Sequence, residues 1–489
     1  MKDRAPNAPG RPALPMPPGT PRLVRIDAAA SWDAGGHSPG RVSLLVDNGS
    51  PDGLEVLANA TPEEVDAHPD ARRATRLDLA DHVLLPGLVN AHTHLDLTHI
   101  GPVEWDPARP FNEWIDVILN GRLTDPNAIA ASVRAGAELA IAGGTVAVGD
   151  IAGVVAGQAS LAAAEPLADS GLHGVSFVEF FAIGPRMEAN LERAGGVMRS
   201  RDPDLARGRL RLGIQPHAPY SAQRDAYQRA IEWAAERSLP LSTHLAETPI
   251  EREFIARGTG LQKAFLERLG AWHPSLLDEY AKGLHPVEHL EPILRAAADA
   301  GRPFLVAHAN DATDRAIEIL SETRTRVVYC PRSSAYFGAE RHFGPHRYRD
   351  MLDAGVPVCL GTDSVVNITD RTLGVGPSDE GGFCGRTSGR LSILDEMRLL
   401  FQRDGTDPHT LIRMGTTNAL SALGESALAE TAFRLGGASG SADATSSPLA
   451  ILAVPVRSGL VGRDAVAAGL ETDAPPISIV TRILPVSQQ

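Results

Sequence analysis

Cysteine and lysine are both scarce in this 489-residue chain, and each scarcity excludes something. Three cysteines (Cys330, Cys359, Cys384) are too few for a disulfide framework, and their spacing is not that of a zinc knuckle, so a reducing cytoplasm is expected. Only three lysines occur, Lys2, Lys263 and Lys282, against 43 arginines, so no lysine stands between positions 2 and 263. No uninterrupted run reaches the roughly 18 apolar residues of a membrane span; the alanine-rich stretch from Ile151 to Ala168 is broken by Gln158 and Glu165. A basic surface is missing too. The net charge of −14 argues against a nucleic-acid partner. The first 21 residues contain seven prolines and no apolar core, which reads as a disordered leader (residues 1–22) rather than a signal peptide.

The composition is that of an average globular protein, with 43% hydrophobic residues. Short β-type segments run from Leu23 to about Leu84, at Leu23–Ile26, Arg41–Val46, Leu54–Ala58 and Arg76–Leu79. The pattern returns after a Gly/Ser-rich link at 436–448, in Leu449–Val454 and Ile477–Leu484. Residues 23–84 and 431–489 are therefore expected to form one small composite β-sandwich domain built from both termini. Between them strand-like and helix-like segments alternate. The strands are Val83–Ala91, Thr145–Gly149, Gly174–Phe181, Leu210–Gln215, Leu239–Thr243, Pro303–Ala307, Arg326–Cys330 and Val356–Gly361. The helices include Asn127–Ala142, Arg224–Arg237, Ile293–Ala300 and Thr313–Ser321. Eight βα units over residues 85–430 predict an α/β fold, a (β/α)8 TIM barrel, with its site at the C-terminal strand ends.

Those strand ends carry ionisable residues. The first ends in His92-Thr-His94, whose imidazoles share one face of an extended chain. The fourth ends in His217-Ala-Pro-Tyr220, the fifth in His244-Leu-Ala-Glu247, the sixth in His308 and the eighth in Asp363. Any one of these alone could be a buried, hydrogen-bonded core residue. Gathered at one end of apolar strands, they would be costly to bury without a function.

The order Pro86-Gly-Leu-Val-Asn-Ala-His92-Thr-His94, then His244, His308 and Gly361-Thr-Asp363, resembles the amidohydrolase superfamily of metal-dependent hydrolases over about residues 20–485. The resemblance implies His92, His94, His244 and Asp363 as ligands of one divalent metal ion, Zn2+ first and Fe2+ as the alternative. Two-metal members usually carry a bridging lysine at the fourth strand; the lysine gap excludes it here, with Glu179 as a substitute bridge the less favoured reading. His244-x-x-Glu247 resembles the aminohydrolases of cytosine, guanine and adenosine type. In that reading Glu247 shuttles a proton to the ring nitrogen, His308 and Asp363 orient and deprotonate the attacking water, and ammonia leaves. The bland alternative is that Glu247 only caps the next helix.

Pro216-His217-Ala-Pro-Tyr220 and Leu394–Leu400 are similar to the chlorohydrolase and S-adenosylhomocysteine deaminase branch, which makes His217 a substrate contact. Tyr329-Cys-Pro-Arg-Ser-Ser334 departs from the usual His-Asn-Pro or Ser-Asn-Pro and is similar to aminodeoxyfutalosine deaminases. Asp96 stands where a glutamate is frequent. The expected substrate is a small heterocycle, an adenine-type nucleoside derivative; the resemblance also suggests a homodimer. The rival readings are dechlorination or dealkylamination of a triazine-like ring and a non-catalytic scaffold. A glycine-dotted loop at 365–391 reads equally as a lid or a tolerated insertion. His99, His285 and His289 follow no strand-end pattern and are expected on the surface or in helices.

Overall fold

The computed structural model describes residues 21–50, 53–206, 208–369, 390–436 and 447–481. Most of the expected leader, most of the Gly/Ser-rich link, most of the glycine-dotted loop, Cys384 and the end of the Ile477–Leu484 strand lie outside the described residues. No described helix is long and apolar enough to cross a membrane.

Both ends of the chain supply strands to one seven-stranded mixed sheet rather than to two packed sheets. Its members are β1 (Leu23–Asp33), β2 (Gly36–His37), β3 (Val42–Ser50), β4 (Gly53–Ala60), β5 (Thr75–Pro86), and, from the far end, β14 (Ala450–Pro455) and β15 (Ile477–Thr481). They lie in the order β15-β14-β5-β1-β3-β4, with β2 paired to β1. Strand alternation gives each residue its side. In β5, Val83 and Leu85 join the core that continues toward the middle of the chain, while Leu84 packs on the opposite face with Ile26, Leu44 and Ile451. In β14, Leu452 and Val454 face the first core and Ile451 and Ala453 the second.

The middle of the chain forms two four-stranded parallel sheets. One contains β6 (Leu88–Thr93), β7 (Thr145–Ala152), β8 (His173–Phe180) and β9 (Leu210–Pro216). The other contains β10 (Ser242–Leu245), β11 (Leu305–His308), β12 (Arg326–Tyr329) and β13 (Val358–Leu360). Helices alternate with the strands, among them Pro126–Ala142, Arg224–Arg237, Pro286–Asp299 and Asp314–Glu322. Their starts follow local rules. Asp125 and Thr313 accept the backbone N–H of Ala128 and Ala316 as N-caps, and proline occupies the first turn after Asp125. Every residue of β6, β7, β10 and β11 is buried, as a parallel sheet covered on both faces requires.

The single expected strand Val83–Ala91 is two strands. Residues up to Pro86 pair antiparallel with β14, whereas Leu88 onward runs parallel to β7. Pro86 has no N–H to continue the ladder. Gly87 then donates to the Ala450 carbonyl and Leu88 to that of Gly144. A Cβ on Gly87 would lie 2.2 Å from a Val146 methyl, so the crossing admits only glycine. The chain thus passes from terminal sheet to parallel sheet in two residues.

Single parallel bridges connect the sheets, Ile214 to Leu241 and Thr93 to Asp363. At the second, Asn90 donates through Nδ2 to Thr362 Oγ1 (2.7 Å) and accepts from the Thr362 N–H (3.1 Å). The Thr362 and Asp363 N–H groups both point at the His92 carbonyl. Asn90→Ala removes one of two partners from both the Thr362 N–H and its hydroxyl and should cost about 0.5–1.5 kcal/mol per hydrogen bond lost, read as a lower urea midpoint than that of the parent chain.

Candidate active site

β6 delivers His92 and His94, β9 leads into His217, β10 delivers His244 and leads to Glu247, β11 delivers His308, and Asp363 follows β13. The structure gathers all seven expected residues, six of them lining one cleft and His92 packed against them beneath it. His94 Nε2 lies 3.6 Å and His92 Nε2 3.9 Å from Asp363 Oδ1. One set of ligand-type atoms within 4.8 Å of one another comes from His92, His94 and Asp363, and a second from His92, His244 and His308. A third set, Glu179, His217 and His244, shares His244. The His92 ring stands edge-on to those of His94, His244 and His308, with centroids 5.0–5.3 Å apart.

Backbone shape helps aim these groups. His308 and Asp363 have φ of 75° and 58°, and Ala246, two residues past His244, has 55°. Such left-handed turns cost L-residues of order 1–3 kcal/mol and persist only where surroundings hold them. His346 supplies part of that hold, donating Nε2–H to the His308 carbonyl at 2.9 Å while stacking on Tyr329 at 3.7 Å between centroids. Ser333 donates to Asp363 Oδ2 at 2.7 Å, leaving Oδ1 as the oxygen nearest the histidines. His244 donates Nδ1–H to the His217 carbonyl at 3.0 Å, which fixes the tautomer and leaves Nε2 with a free lone pair.

Burial dominates the electrostatics. It holds His92, His94, His217 and His308 well below the ordinary imidazole range, the crowded imidazoles further disfavouring a charge on any one of them and Arg122 doing so for His94 and His217, and it lowers His244 to about 4. Burial pushes the carboxyls the other way. Asp363 rises to about 6 against the pull of the Ser333 hydroxyl. Glu247 rises well above the carboxylate range, burial being aided by the Asp363 and Glu251 charges. Its Oε1 is 3.6 Å from His308 Nε2. Glu179 is pushed to about 7 by burial, with Arg122 opposing. Both its oxygens lack a hydrogen bond among the described residues, with Arg122 Nη2 at 3.6 Å and His217 Nε2 at 3.9 Å.

The cleft above these groups has a volume of about 360 Å3. Its walls are mostly apolar, from Trp114, Ile118, Phe181, Ile183, Phe265 and Leu269, with Tyr220 beside His217. Arg122 lines it too, paired with Asp96 at 2.9 Å. A pocket of this size and lining suits a small ring-bearing ligand.

Several residues here escaped the sequence reading. Arg122, Glu251 and His346 carry no strand-end signal and meet the site through tertiary contacts, whereas Asp150 directly follows the expected strand Thr145–Gly149 and Ser333 lies in the Tyr329–Ser334 motif, positions that mark them without naming a partner. Asp150 accepts the Leu95 N–H at 3.0 Å, directly beyond the His-x-His pair. His99 is exposed, as expected. His285 and His289 are in or at a helix but buried, 3.3 Å from Asp311 and 3.4 Å from Glu279. His285 is an N-cap in a capping box with Glu288, a spacing visible in the sequence.

Residues 83–428 match the model of the amidohydrolase family. The chain is 32% identical over 353 residues to an aminodeoxyfutalosine deaminase of Deinococcus radiodurans, covering 71% of this chain and 77% of that protein. Among solved structures it is similar to an aminofutalosine deaminase of Helicobacter pylori in complex with methylthio-coformycin, with a TM-score of 0.66 at 18% identity, over 92% of this chain and 95% of that one. An atrazine chlorohydrolase of Arthrobacter aurescens complexed with zinc has a TM-score of 0.62 at 17% identity, over 95% and 94%. At these identities the two structures show a shared fold.

His346 gives the site a pH signature. Burial lowers its pKa to about 4, from an unfolded value near 6.5. Its contribution to stability is therefore complete above about pH 6.5 and is lost as the pH falls toward 4, because the unfolded chain takes up a proton that the folded one refuses. His346→Asn should flatten the dependence of unfolding free energy on pH between 6.5 and 4 by up to about 1.4 kcal/mol per pH unit, measured by urea unfolding across that window.

Proposed function

The chain belongs to the amidohydrolase family and hydrolyses a carbon–nitrogen bond other than a peptide bond, and from that premise we propose that it deaminates the purine ring of an adenine-type nucleoside derivative resembling aminodeoxyfutalosine. The observation that carries the reading is Glu247, a carboxyl 8% exposed, facing His308 on the polar floor of an apolar cleft. The 32% identity to a deaminase favours ammonia as the leaving group. Displacement of chloride from a triazine-like ring, the rival chemistry, would use the same groups and release none.

We take the two parallel sheets as the halves of an eight-stranded barrel, with residues 85–430 as the catalytic domain and the sheet from both termini as its satellite. A reducing cytoplasm accords with the free, buried thiols of Cys330 and Cys359.

The donor set fits a divalent metal. His92 is 1% exposed and neither of its ring nitrogens finds a hydrogen-bond partner among the described residues; His94 Nδ1 is likewise unpartnered. Neutral imidazoles and one carboxylate are the ligands such an ion takes, and His92, His94, His244 and Asp363 would hold it, with Zn2+ preferred and Fe2+ suited to the same donors. The fourth strand end offers His217 in place of a lysine, so one ion is expected. When bound, the ion supplies the Lewis acidity that lets water lose a proton near neutral pH.

The remaining chemistry falls to side chains. Glu247 keeps its proton near neutrality and donates it to the ring nitrogen beside the amino-bearing carbon, removing the penalty of placing charge there as water adds. His308, neutral, and Asp363 accept the proton that the water gives up. Glu247, deprotonated by that transfer, takes the proton of the added hydroxyl and delivers it to the exocyclic nitrogen; the C–N bond breaks, ammonia leaves with the bonding pair, the ring carbon keeps its oxygen as a carbonyl, and the proton held by His308 and Asp363 returns to Glu247. His217, held through Nδ1 by Ser221 at 2.7 Å, presents Nε2 to the base.

Glu247→Gln keeps the ligand set and removes the titrating proton. It should bind metal as the parent does yet lose turnover by about 10²-fold or more, in an ammonia-release assay over adenine- and guanine-containing nucleosides including aminodeoxyfutalosine. A variant deaminating at the parent rate would contradict the assignment.

A further inference from the structure

Glu251 lies behind the cleft, 1% exposed, and no cation pairs with it among the described residues. A buried carboxyl without a counter-ion is costly to ionise, and burial pushes this one up to about 7, with the hydrogen bonds it accepts opposing. Its partners are two consecutive backbone N–H groups: Oε1 accepts from Ala246 and Oε2 from Glu247, both at 2.8 Å. Glu251 sits at the third position of the Pro249–Arg257 helix, where a glutamate ordinarily reaches back to the N-cap residue. Here Thr248 performs the N-cap role, accepting the Glu251 N–H at 3.2 Å, while the Glu251 side chain reaches beyond it to the two preceding residues.

Those two residues are the ones whose geometry decides where Glu247 points. Ala246 is in the left-handed region, a conformation an L-residue does not keep unaided. Their carbonyls are held from the opposite side, that of Ala246 by the Asp311 N–H at 2.9 Å and that of Glu247 by Asn310 Nδ2 at 3.2 Å. All four backbone polar groups of the segment are thereby engaged, two by one carboxyl group and two by the turn directly after β11, the strand that ends in His308.

We propose that Glu251 is a positioning residue for the deamination, its carboxylate clamping the Ala246–Glu247 backbone so that the Glu247 carboxyl is held at a fixed place opposite His308. The inference rests on the reading of Glu247 as proton shuttle. Glu251 touches neither substrate nor reacting atoms; it acts through the main chain of its neighbour.

Glu251→Gln tests it. An amide offers one oxygen, so one N–H keeps its acceptor while the other faces an NH2 group. A small displacement of a reacting group costs about 10²-fold in rate. The variant should therefore lose about a hundredfold in kcat with KM within twofold, keep its metal, and lose hydrogen-exchange protection in the peptide spanning Leu245–Thr248. Combined with Glu247→Gln it should lose no more than Glu247→Gln alone, because the two act as a unit. Unchanged kcat and exchange, or losses that multiply in the double variant, would overturn the proposal. If Glu251→Gln fails to fold, Asn310→Ala loosens the same segment from the other side and should lower kcat about tenfold, again without adding to Glu247→Gln; multiplying losses would overturn it. Should Glu247→Gln itself retain parent turnover, the shuttle reading falls, and exchange alone decides the clamp: protection lost at Leu245–Thr248 supports it and protection kept overturns it.

Discussion

Burying several imidazoles side by side, with neither His92 nitrogen nor His94 Nδ1 hydrogen-bonded among the described residues, is the constraint around which this molecule is arranged. His92, His94, His217, His244 and His308 crowd one end of the parallel sheets, all held neutral by burial. Each buried nitrogen without a partner costs about 1–3 kcal/mol. A soluble core would avoid that arrangement, whereas a cation converts the same lone pairs into ligands. The raised carboxyls around them follow from the same dry environment. Low dielectric, with the Asp363 and Glu251 charges, pushes the Glu247 carboxyl well above the carboxylate range, the direction that suits the proton-donating role proposed for it.

The fold meets this constraint with short strands and constrained turns. Pro86 and Gly87 end one strand and start the next within two residues, so that β6 leaves the terminal sheet and carries two histidines into the centre. The Asn90–Thr362 pair then ties β6 to the segment after β13, and the His92 carbonyl receives two N–H groups from that segment. First and last parallel strands are thereby in register, which is why His94 and Asp363, 269 positions apart, lie 3.6 Å from one another. Beyond the strands, left-handed residues at Ala246, His308 and Asp363 turn side chains inward, each buttressed by a neighbour: Glu251, His346 and Ser333.

Much of the site was legible because strand alternation is a strict rule. Two histidines two apart on an apolar strand share a face, and later strands end in further ligand-type residues, so His92, His94, His244, His308 and Asp363 could be gathered before any coordinates. The lysine gap was equally readable. The division of Val83–Ala91 was not, since an apolar run looks the same whether it serves one sheet or two; only Pro86-Gly87 marked the change. The terminal strands were placed correctly in outline, yet one sheet replaced the expected two. Supporting groups were illegible for a different reason. Ser333 and Arg122 meet their partners through folding alone, and Glu251 looks like an ordinary helix-cap glutamate until the Ala246 turn is seen. His285 and His289 were assigned by the lack of a strand-end pattern, a criterion blind to burial within a helix.

The claim on which everything rests is that this imidazole cluster works with a single ion. Adding Zn2+ or Fe2+ in fractional equivalents to chelator-stripped protein, and following ammonia release from aminodeoxyfutalosine at each step, measures it directly. Activity rising in proportion to metal and levelling at one ion per chain is the result the account requires. Activity that levels only at two ions per chain, or that does not depend on metal, would contradict it.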